Sequence, residues 1–287
     1  MSQPLINLVI PTLNVAPWIE RTLTSVLGQD HPALDCLLID GGSTDETLEL
    51  AGRFSDSRLR ILVRPGLSHA AAVNLGLAET RGDICAWLGG DDLYFPWTLK
   101  AACSIFAAFP EVAWLSTLRP AIADPHDILT GSVIPGFSCQ AFLDGRYLPR
   151  EGRTVSVRGP ITSLRPIQQE STFFRRSLWE AAGGLDAAQD PAADFGLWAR
   201  FYQQAELYGT PVPLGAFRVR PGQRSAAVAD YQYAAGAILE SIRAAAGWTP
   251  APGEPVYRGK KVVRREVLAE DVRWAIVEHE FADDFAI

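Results

Sequence analysis

No run of apolar residues in the 287-residue sequence approaches the roughly 18 to 20 needed to span a membrane. The opening Met1-Ser2-Gln3-Pro4 also lacks the basic start of a secretory leader, so a cytoplasmic protein is expected. Cysteines are few: Cys36, Cys85, Cys103 and Cys139 are scattered, and three of them fall in apolar runs where a free thiol packs as a small hydrophobe. That pattern offers no disulfide framework and points to a reducing compartment. Positive charge is short as well, with 26 Lys and Arg against 33 Asp and Glu and a net charge of −7. Broad binding to DNA or RNA is therefore excluded, because it needs basic clusters that displace counterions from phosphates. The exception is a stretch near the end containing Arg258, Lys260, Lys261, Arg264 and Arg265. The plainer reading of that stretch is a solvated segment, and the alternative is peripheral attachment at the inner face of a membrane. Internal repeats and low-complexity tracts are missing too.

What is present describes a folded α/β chain. Hydrophobic residues make up 48% and charged residues 21%, with 20 prolines and 24 glycines spread along a length able to bury a substantial core. In the first hundred residues short β-rich runs alternate with helical patterns. Strands are expected at residues 5–10, 37–40, 59–63 and 84–88, with helices at 17–27, from Ser43 onward, at 70–79 and from Pro96 to Phe109. Apolar strands separated by helices imply a mostly parallel sheet covered on both faces, with ligands gathering at the strands' carboxyl ends. Residues 119–166 loosen into Pro/Gly-rich segments with a possible helix at 137–143, suggesting loops that shape a second binding region. Helices are expected at 176–182, from about Ala193, and at 226–245 before Gly247, the last opening a C-terminal helical extension.

Two turns carry candidate chemistry. Asp40-Gly41-Gly42-Ser43-Thr44-Asp45 joins a strand end to a helix start, where glycines admit a ligand and a carboxylate can accept bonds from a base or ribose. Helix capping explains Ser43, Thr44 or Asp45 at least as well, whereas Asp40 is not needed for the cap. Asp91 and Asp92 follow Gly89-Gly90 at another strand end, and adjacent carboxylates repel unless a cation or solvent offsets them. Hard oxygen ligands there suit Mg²⁺ or Mn²⁺; a polar loop leading to a helix at Pro96 is the alternative. Arg218, Arg220 and Arg224 surround Pro221-Gly222 and are candidates to clamp a diphosphate, with surface solvation an equal reading for Arg224. Trp198 and Phe195 read as core residues.

These segments occur in an order that resembles family 2 glycosyltransferases. The motifs are Val9-Ile10-Pro11-Thr12-Leu13-Asn14, the Asp40 turn, Asn74-Leu75-Gly76 and Trp87-Leu88-Gly89-Gly90-Asp91-Asp92. Further along come Glu170-Ser171-Thr172-Phe173-Phe174-Arg175-Arg176, Gly183-Gly184-Leu185-Asp186, Asp194-Phe195-Gly196-Leu197-Trp198 and the run from Phe217 to Ser225. The resemblance covers roughly residues 5–225. It implies a GT-A fold, a Rossmann-like mostly parallel sheet with helices on both faces, and a nucleotide-diphosphate sugar as donor, most simply a UDP-sugar. It further implies inversion at the anomeric carbon, a glycan or lipid-linked acceptor, and a role in polysaccharide or glycoconjugate assembly. The chain then divides into a nucleotide-sugar-binding half at residues 1–118, an acceptor and catalytic half at 119–225, and, outside the resemblance, a C-terminal helical extension at 226–287. Pro11, Thr12, Asn14, Asp40, Gly42, Ser43, Asn74, Gly90, Asp91, Arg218 and Arg220 match donor-binding positions. Asp91, with Asp92 beside it, matches the metal site, and Asp194 matches the catalytic base. On residues alone, an acid favoured by a helix N-terminus is the preferred reading of Asp194.

The sequence departs from the family pattern at Gly89, where a leading aspartate is common, at Ala193, where an acid is common, and at Arg220, where histidine is common. Loss of the leading aspartate predicts weak metal affinity without donor. The departures also admit a noncatalytic nucleotide-sugar-binding or scaffolding subunit. A nucleotidyltransferase is disfavoured, since residues 11–18 lack a Gly-rich loop with a phosphate-binding lysine.

Overall fold

A computed structural model of the chain describes residues 4–31, 33–148, 166–223, 227–250, 252, 255–267 and 271–282. The first half runs β1 (Ile6–Thr12), α1 (Ala16–Leu27), β2 (Leu34–Asp40), α2 (Thr47–Ala51), β3 (Leu59–Val63), α3 (His69–Ala78), β4 (Ile84–Trp87), β5 (Leu93–Tyr94) and α4 (Thr98–Ala108). It continues through β6 (Trp114–Thr117), β7 (Ala121–Ala123), β8 (Leu129–Gly131) and α5 (Cys139–Leu143). After a short 3₁₀ turn at Gln169–Ser171 come β9 (Phe173–Arg175), α6 (Arg176–Ala182), α7 (Ala193–Tyr202), β10 (Leu207–Thr210) and β11 (Gly215–Arg218). The last elements are α8 (Val228–Ala246), β12 (Val256–Val267) and β13 (Asp271–Ala282).

The described strands build a central sheet in the order β13-β12-β10-β6-β9-β4-β1-β2-β3. Its pairings are parallel except at β9, which runs antiparallel between β4 and β6, and at β13. Alternate residues of β1 explain why its sequence is apolar throughout. Leu8 and Ile10 pack with Ile19, Leu23 and Val26 of α1, while Val9 packs with Ala70, Val73 and Leu77 of α3 on the opposite face. Beneath β9 three indoles form a ladder, with Trp198 stacked 5.6 Å from both Trp87 and Trp114. Trp198 and Phe195 are buried in that core, as the helical spacing suggested.

Local signals place the helices. Proline occupies the first turn of α1, Ser68 Oγ accepts the Ala71 amide at 3.2 Å to cap α3, and Gly247, at φ 61°, ends α8.

Two expectations are corrected. The described part of the loop region, residues 119–148, contributes β7 and β8, which join β5 and β11 in a second, four-stranded sheet, as well as α5; residues 149–165 lie outside the described residues. The C-terminal extension is helical only as far as Ala246. Beyond it β12 and β13 form a twelve-pair antiparallel hairpin whose Lys260 and Lys261 pair with Tyr208 and Gly209 of β10. The physical reason is a period of two rather than 3.6: Tyr257 and Phe281 join one core, and Val262, Trp274 and Ile276 join the other. Within that hairpin Arg258 pairs with Glu280 at 3.0 Å on an exposed surface.

Candidate active site

Thr12 and Asp40 are paired neighbours in the parallel register, each the last residue of its strand, and the β4 strand beside them runs into Leu88 and Gly89. Three carboxyl ends therefore open onto one place. The loops after β1 and β2 are clipped together there. Asn14, in the left-handed region at φ 50°, accepts the Thr44 amide on Oδ1 at 2.8 Å, and its own amide donates to Ser43 Oγ at 2.9 Å. Asp40 is fully buried and folds the turn itself, accepting from the amides of Gly42 and Ser43 at 2.9 and 2.8 Å and from Ser43 Oγ at 2.5 Å. Gly42 adopts φ 101°, with Pro65 so close that a Cβ would lie 3.1 Å from it. Neither Ser43 nor Thr44 caps α2. Asp45 does the comparable work, holding the Thr47 amide at 3.0 Å and, on its other oxygen, the Ala16 amide at 3.1 Å. Pro11 and Thr12 are buried, and Thr12 Oγ1 lies 3.0 Å from the place a Cβ on Gly90 would take, so these residues floor the loop cluster.

Gly89 to Asp92 form a tight turn, closed by the Asp92 amide donating to the Gly89 carbonyl at 3.0 Å. Thr22 Oγ1 fastens it from α1, donating to the carbonyls of Gly90 and Asp92 at 3.0 and 2.8 Å. Asp92 neither caps a helix nor follows the expected route to Pro96, because β5 intervenes; its Oδ1 instead accepts the Arg218 amide at 2.8 Å. The other oxygen of each carboxylate lies beside Gly89. A Cβ on Gly89 would lie 2.5 Å from Asp92 Oδ2 and 3.0 Å from Asp91 Oδ1, and among the described residues no hydrogen bond reaches either atom. Two hard oxygens bordering a space that only glycine leaves open fit a small divalent cation. Burial, then the charges of Glu170 and Asp91, push the Asp92 carboxyl well above the usual range, a cost a cation there would relieve.

The arginines differ sharply. Arg218 is 1% exposed, and its guanidinium is committed: Nε donates to the Asp91 carbonyl at 2.6 Å, Nη1 to the Asp124 carbonyl at 2.8 Å, and Nη2 pairs with Asp127 at 2.6 Å. The expectation that Arg218 clamps a diphosphate is therefore corrected; it staples the acidic turn to the loop before β8. Asp127, at φ 63°, also pairs with Arg21 of α1 at 2.6 Å. Of the two described arginines Arg220 is the more accessible, with Nε 2.5 Å from Asp91 Oδ2 and its guanidinium stacked 4.6 Å above Trp18. Arg224 lies outside the described residues.

Asp194 stands in the first turn of α7, where its Oδ1 accepts its neighbour's amide at 2.8 Å and Tyr231 Oη at 3.1 Å. The fold connects it to the acidic turn through Glu170, on the 3₁₀ turn before β9. Burial first, then the nearby charges of Asp194 and Asp91, push Glu170 up to about 8. Sequence reasoning gave Glu170 no role; an acid three residues before the apolar Phe173-Phe174 strand was the available signal. Asn74 is drawn elsewhere, since its amide both donates to and accepts from the backbone of Leu185 at 2.8 and 2.9 Å, pinning the Gly183-Gly184 turn to α3.

Comparisons with known proteins bear on the family and the fold. The sequence profile described as Glycosyl transferase family 2 matches residues 7–139. A glycosyltransferase of PGL/p-HBAD biosynthesis from Mycobacterium bovis is 30% identical over 210 residues, which are 72% of this chain and 73% of that protein. An uncharacterized glycosyltransferase of Rickettsia prowazekii is 23% identical over 205 residues, 71% of this chain but only 61% of that protein's length. Among solved structures, Staphylococcus aureus TarS in complex with UDP-GlcNAc superposes with a TM-score of 0.61 at 16% identity, covering 83% of this chain and 66% of that one. A mannosyltransferase from Pyrobaculum calidifontis in complex with GDP-Man and Mn²⁺ gives 0.55 at 19% identity, covering 86% and 76%. The chain thus has the GT-A arrangement of those enzymes.

Proposed function

The chain belongs to glycosyl transferase family 2, and from that membership we propose that it transfers a sugar from a nucleoside-diphosphate donor to a hydroxyl acceptor with inversion, in glycoconjugate or polysaccharide assembly. The observation that carries the reading is the convergence of the Asn14, Asp40 and Asp91 loops at three adjacent carboxyl strand ends, with Asp194 electrostatically joined to them through Glu170. The clipped loops of Asn14 and Ser43 form the nucleotide cradle, with Pro11, Thr12 and Gly90 beneath it. Asp194 takes the proton of the acceptor hydroxyl as the new bond forms, a contribution of about 10² to 10⁴ in rate. Arg220 offers a guanidinium to the diphosphate. Asp91 and Asp92 hold a Mn²⁺ or Mg²⁺ ion, which when bound supplies Lewis-acid stabilisation of the leaving diphosphate.

Two neighbours bind donors with different bases, one UDP-GlcNAc and one GDP-Man, so the base is a matter for assay, with a UDP-sugar tried first. No described helix is long and apolar enough to cross a membrane; a cytoplasmic enzyme meeting a glycan or lipid-linked acceptor at the inner membrane face fits the reading. The test is donor turnover by the purified protein with Mn²⁺ or Mg²⁺ across UDP-, GDP- and dTDP-sugars, beside Asp194→Asn. Turnover lost in the variant while donor binding persists supports the enzyme. Binding without turnover in both forms supports a noncatalytic nucleotide-sugar-binding subunit, and no binding of any donor sinks the reading.

A further inference from the structure

We propose that Arg220 is the resident cation of Asp91 in the donor-free protein, and that the donor's diphosphate draws it away, so that metal and donor binding are coupled through this one side chain. The inference rests on the donor and metal reading above. It starts from how Arg220 is held. Its Nε lies 2.5 Å from Asp91 Oδ2, its guanidinium carbon lies 4.6 Å from the Trp18 ring centroid, and its amide donates to Gln223 Oε1 at 2.6 Å. The pair is neither solvated nor sealed, with side-chain exposures of 13% and 18%. A pair in that range is stronger than a surface ion pair yet can open without abandoning a charge in a dry core.

The surrounding groups show which cation can move. Arg218, two residues earlier, is fixed by Asp91, Asp124 and Asp127 and has no exposed side-chain surface. Arg220 leads into Pro221 and Gly222, the latter at φ 72° with nothing within 4 Å of a Cβ placed on it, so its base sits on an open turn. Asp91 has one oxygen on Arg220 and the other on the space over Gly89 shared with Asp92.

A divalent ion placed over Gly89 without donor sits beside a guanidinium already bound to the same carboxylate, and like charges at that range disfavour it. A diphosphate carries enough negative charge to satisfy both cations, and guanidinium matches its oxygens in two-point fashion. Arg220 then exchanges Asp91 for phosphate and frees Oδ2. Linkage makes the effect reciprocal: whatever factor the diphosphate adds to metal affinity, the metal adds to diphosphate affinity.

The experiment measures Mn²⁺ affinity by calorimetry on the full chain, with and without UDP or GDP, for the wild type, Arg220→Gln and Arg220→Lys. The wild type is expected to bind Mn²⁺ weakly alone and at least about tenfold more tightly with the diphosphate. Arg220→Gln should bind Mn²⁺ alone about tenfold more tightly than the wild type, with the coupling factor falling toward one, while Arg220→Lys retains most of the coupling. Emission of Trp18, isolated by difference against Trp18→Phe, should change when wild type takes up UDP and Mn²⁺ and should already be changed in ligand-free Arg220→Gln. Equal Mn²⁺ affinity in wild type and Arg220→Gln overturns the proposal, as does Mn²⁺ binding to neither. Failure of UDP and GDP to bind at all would instead tell against the donor reading, while the metal-only comparison still decides the role of Arg220.

Discussion

Gly89 and Asp92 approach so closely that a single methyl group on Gly89 would sit 2.5 Å from Asp92 Oδ2. The aspartate common at this position in the family cannot be accommodated without moving a buried carboxylate that already holds the Arg218 amide. Gly89 is thus matched to its surroundings. Gly89→Ala is expected to cost about 1–3 kcal/mol, the usual range for overpacking, measured by urea denaturation. Because the methyl fills the space between the two carboxylates, Mn²⁺ affinity should fall in the same variant.

Arg218 and Arg220 should respond oppositely to substitution. Arg218→Ala leaves Asp127 short of a partner and the Asp91 carbonyl without a donor, so a loss of about 3–5 kcal/mol is expected in chemical denaturation. Arg220→Ala should lose clearly less, about 1–2 kcal/mol, since it gives up one half-buried ion pair and the stacking on Trp18 but leaves no charge sealed in a dry core. Equal losses would mean that Arg220 too is structural.

The pH dependence of stability follows from Glu170. Its folded carboxyl titrates at about 8, against 4.5 for the ordinary side chain, so the folded protein keeps a proton that the unfolded chain releases. Stability from this group is complete below 4.5 and is lost as pH rises through about 8. The melting temperature of the ligand-free protein should therefore decline across that window, and Glu170→Gln should flatten the decline. Asp92 is displaced in the same direction by burial and by Glu170, and steepens the trend. A melting temperature rising with pH over this range in wild type would contradict the assignment.

Asn74→Ala tests whether that residue binds donor or braces the fold. Its amide makes two bonds to Leu185, so the expected result is about 1–3 kcal/mol of lost stability with UDP affinity unchanged. A large fall in UDP affinity at unchanged stability would return Asn74 to the nucleotide cradle.

The βαβ half was legible because burial on both faces of the sheet leaves a signature in every strand, as in Leu8-Val9-Ile10, and because Ser68 and Pro17 mark helix starts by local chemistry. The hairpin of β12 and β13 was not, because a real helix, α8, precedes it and charged residues such as Lys260, Arg264 and Glu278 interrupt its alternation. In the site, Asp40, Asp91 and Asp194 stood out from their motifs. The burial of Arg218 did not, since it depends on Asp91 and Asp124, 127 and 94 residues away in sequence. Glu170 was hidden for the same reason: its character comes from neighbours on other elements.

The hairpin also settles which part of the sheet is left open. With β12 laid against β10, the rim of the central sheet passes on that side to β13, a strand of twelve residues carrying Glu278 and Glu280. Cutting the chain after α8 would move that rim inward to β10, whose four residues are all buried and uncharged. Such a shortened chain would present an unprotected template for stacking with its own kind, and should come out of the cell as aggregate rather than as a smaller enzyme.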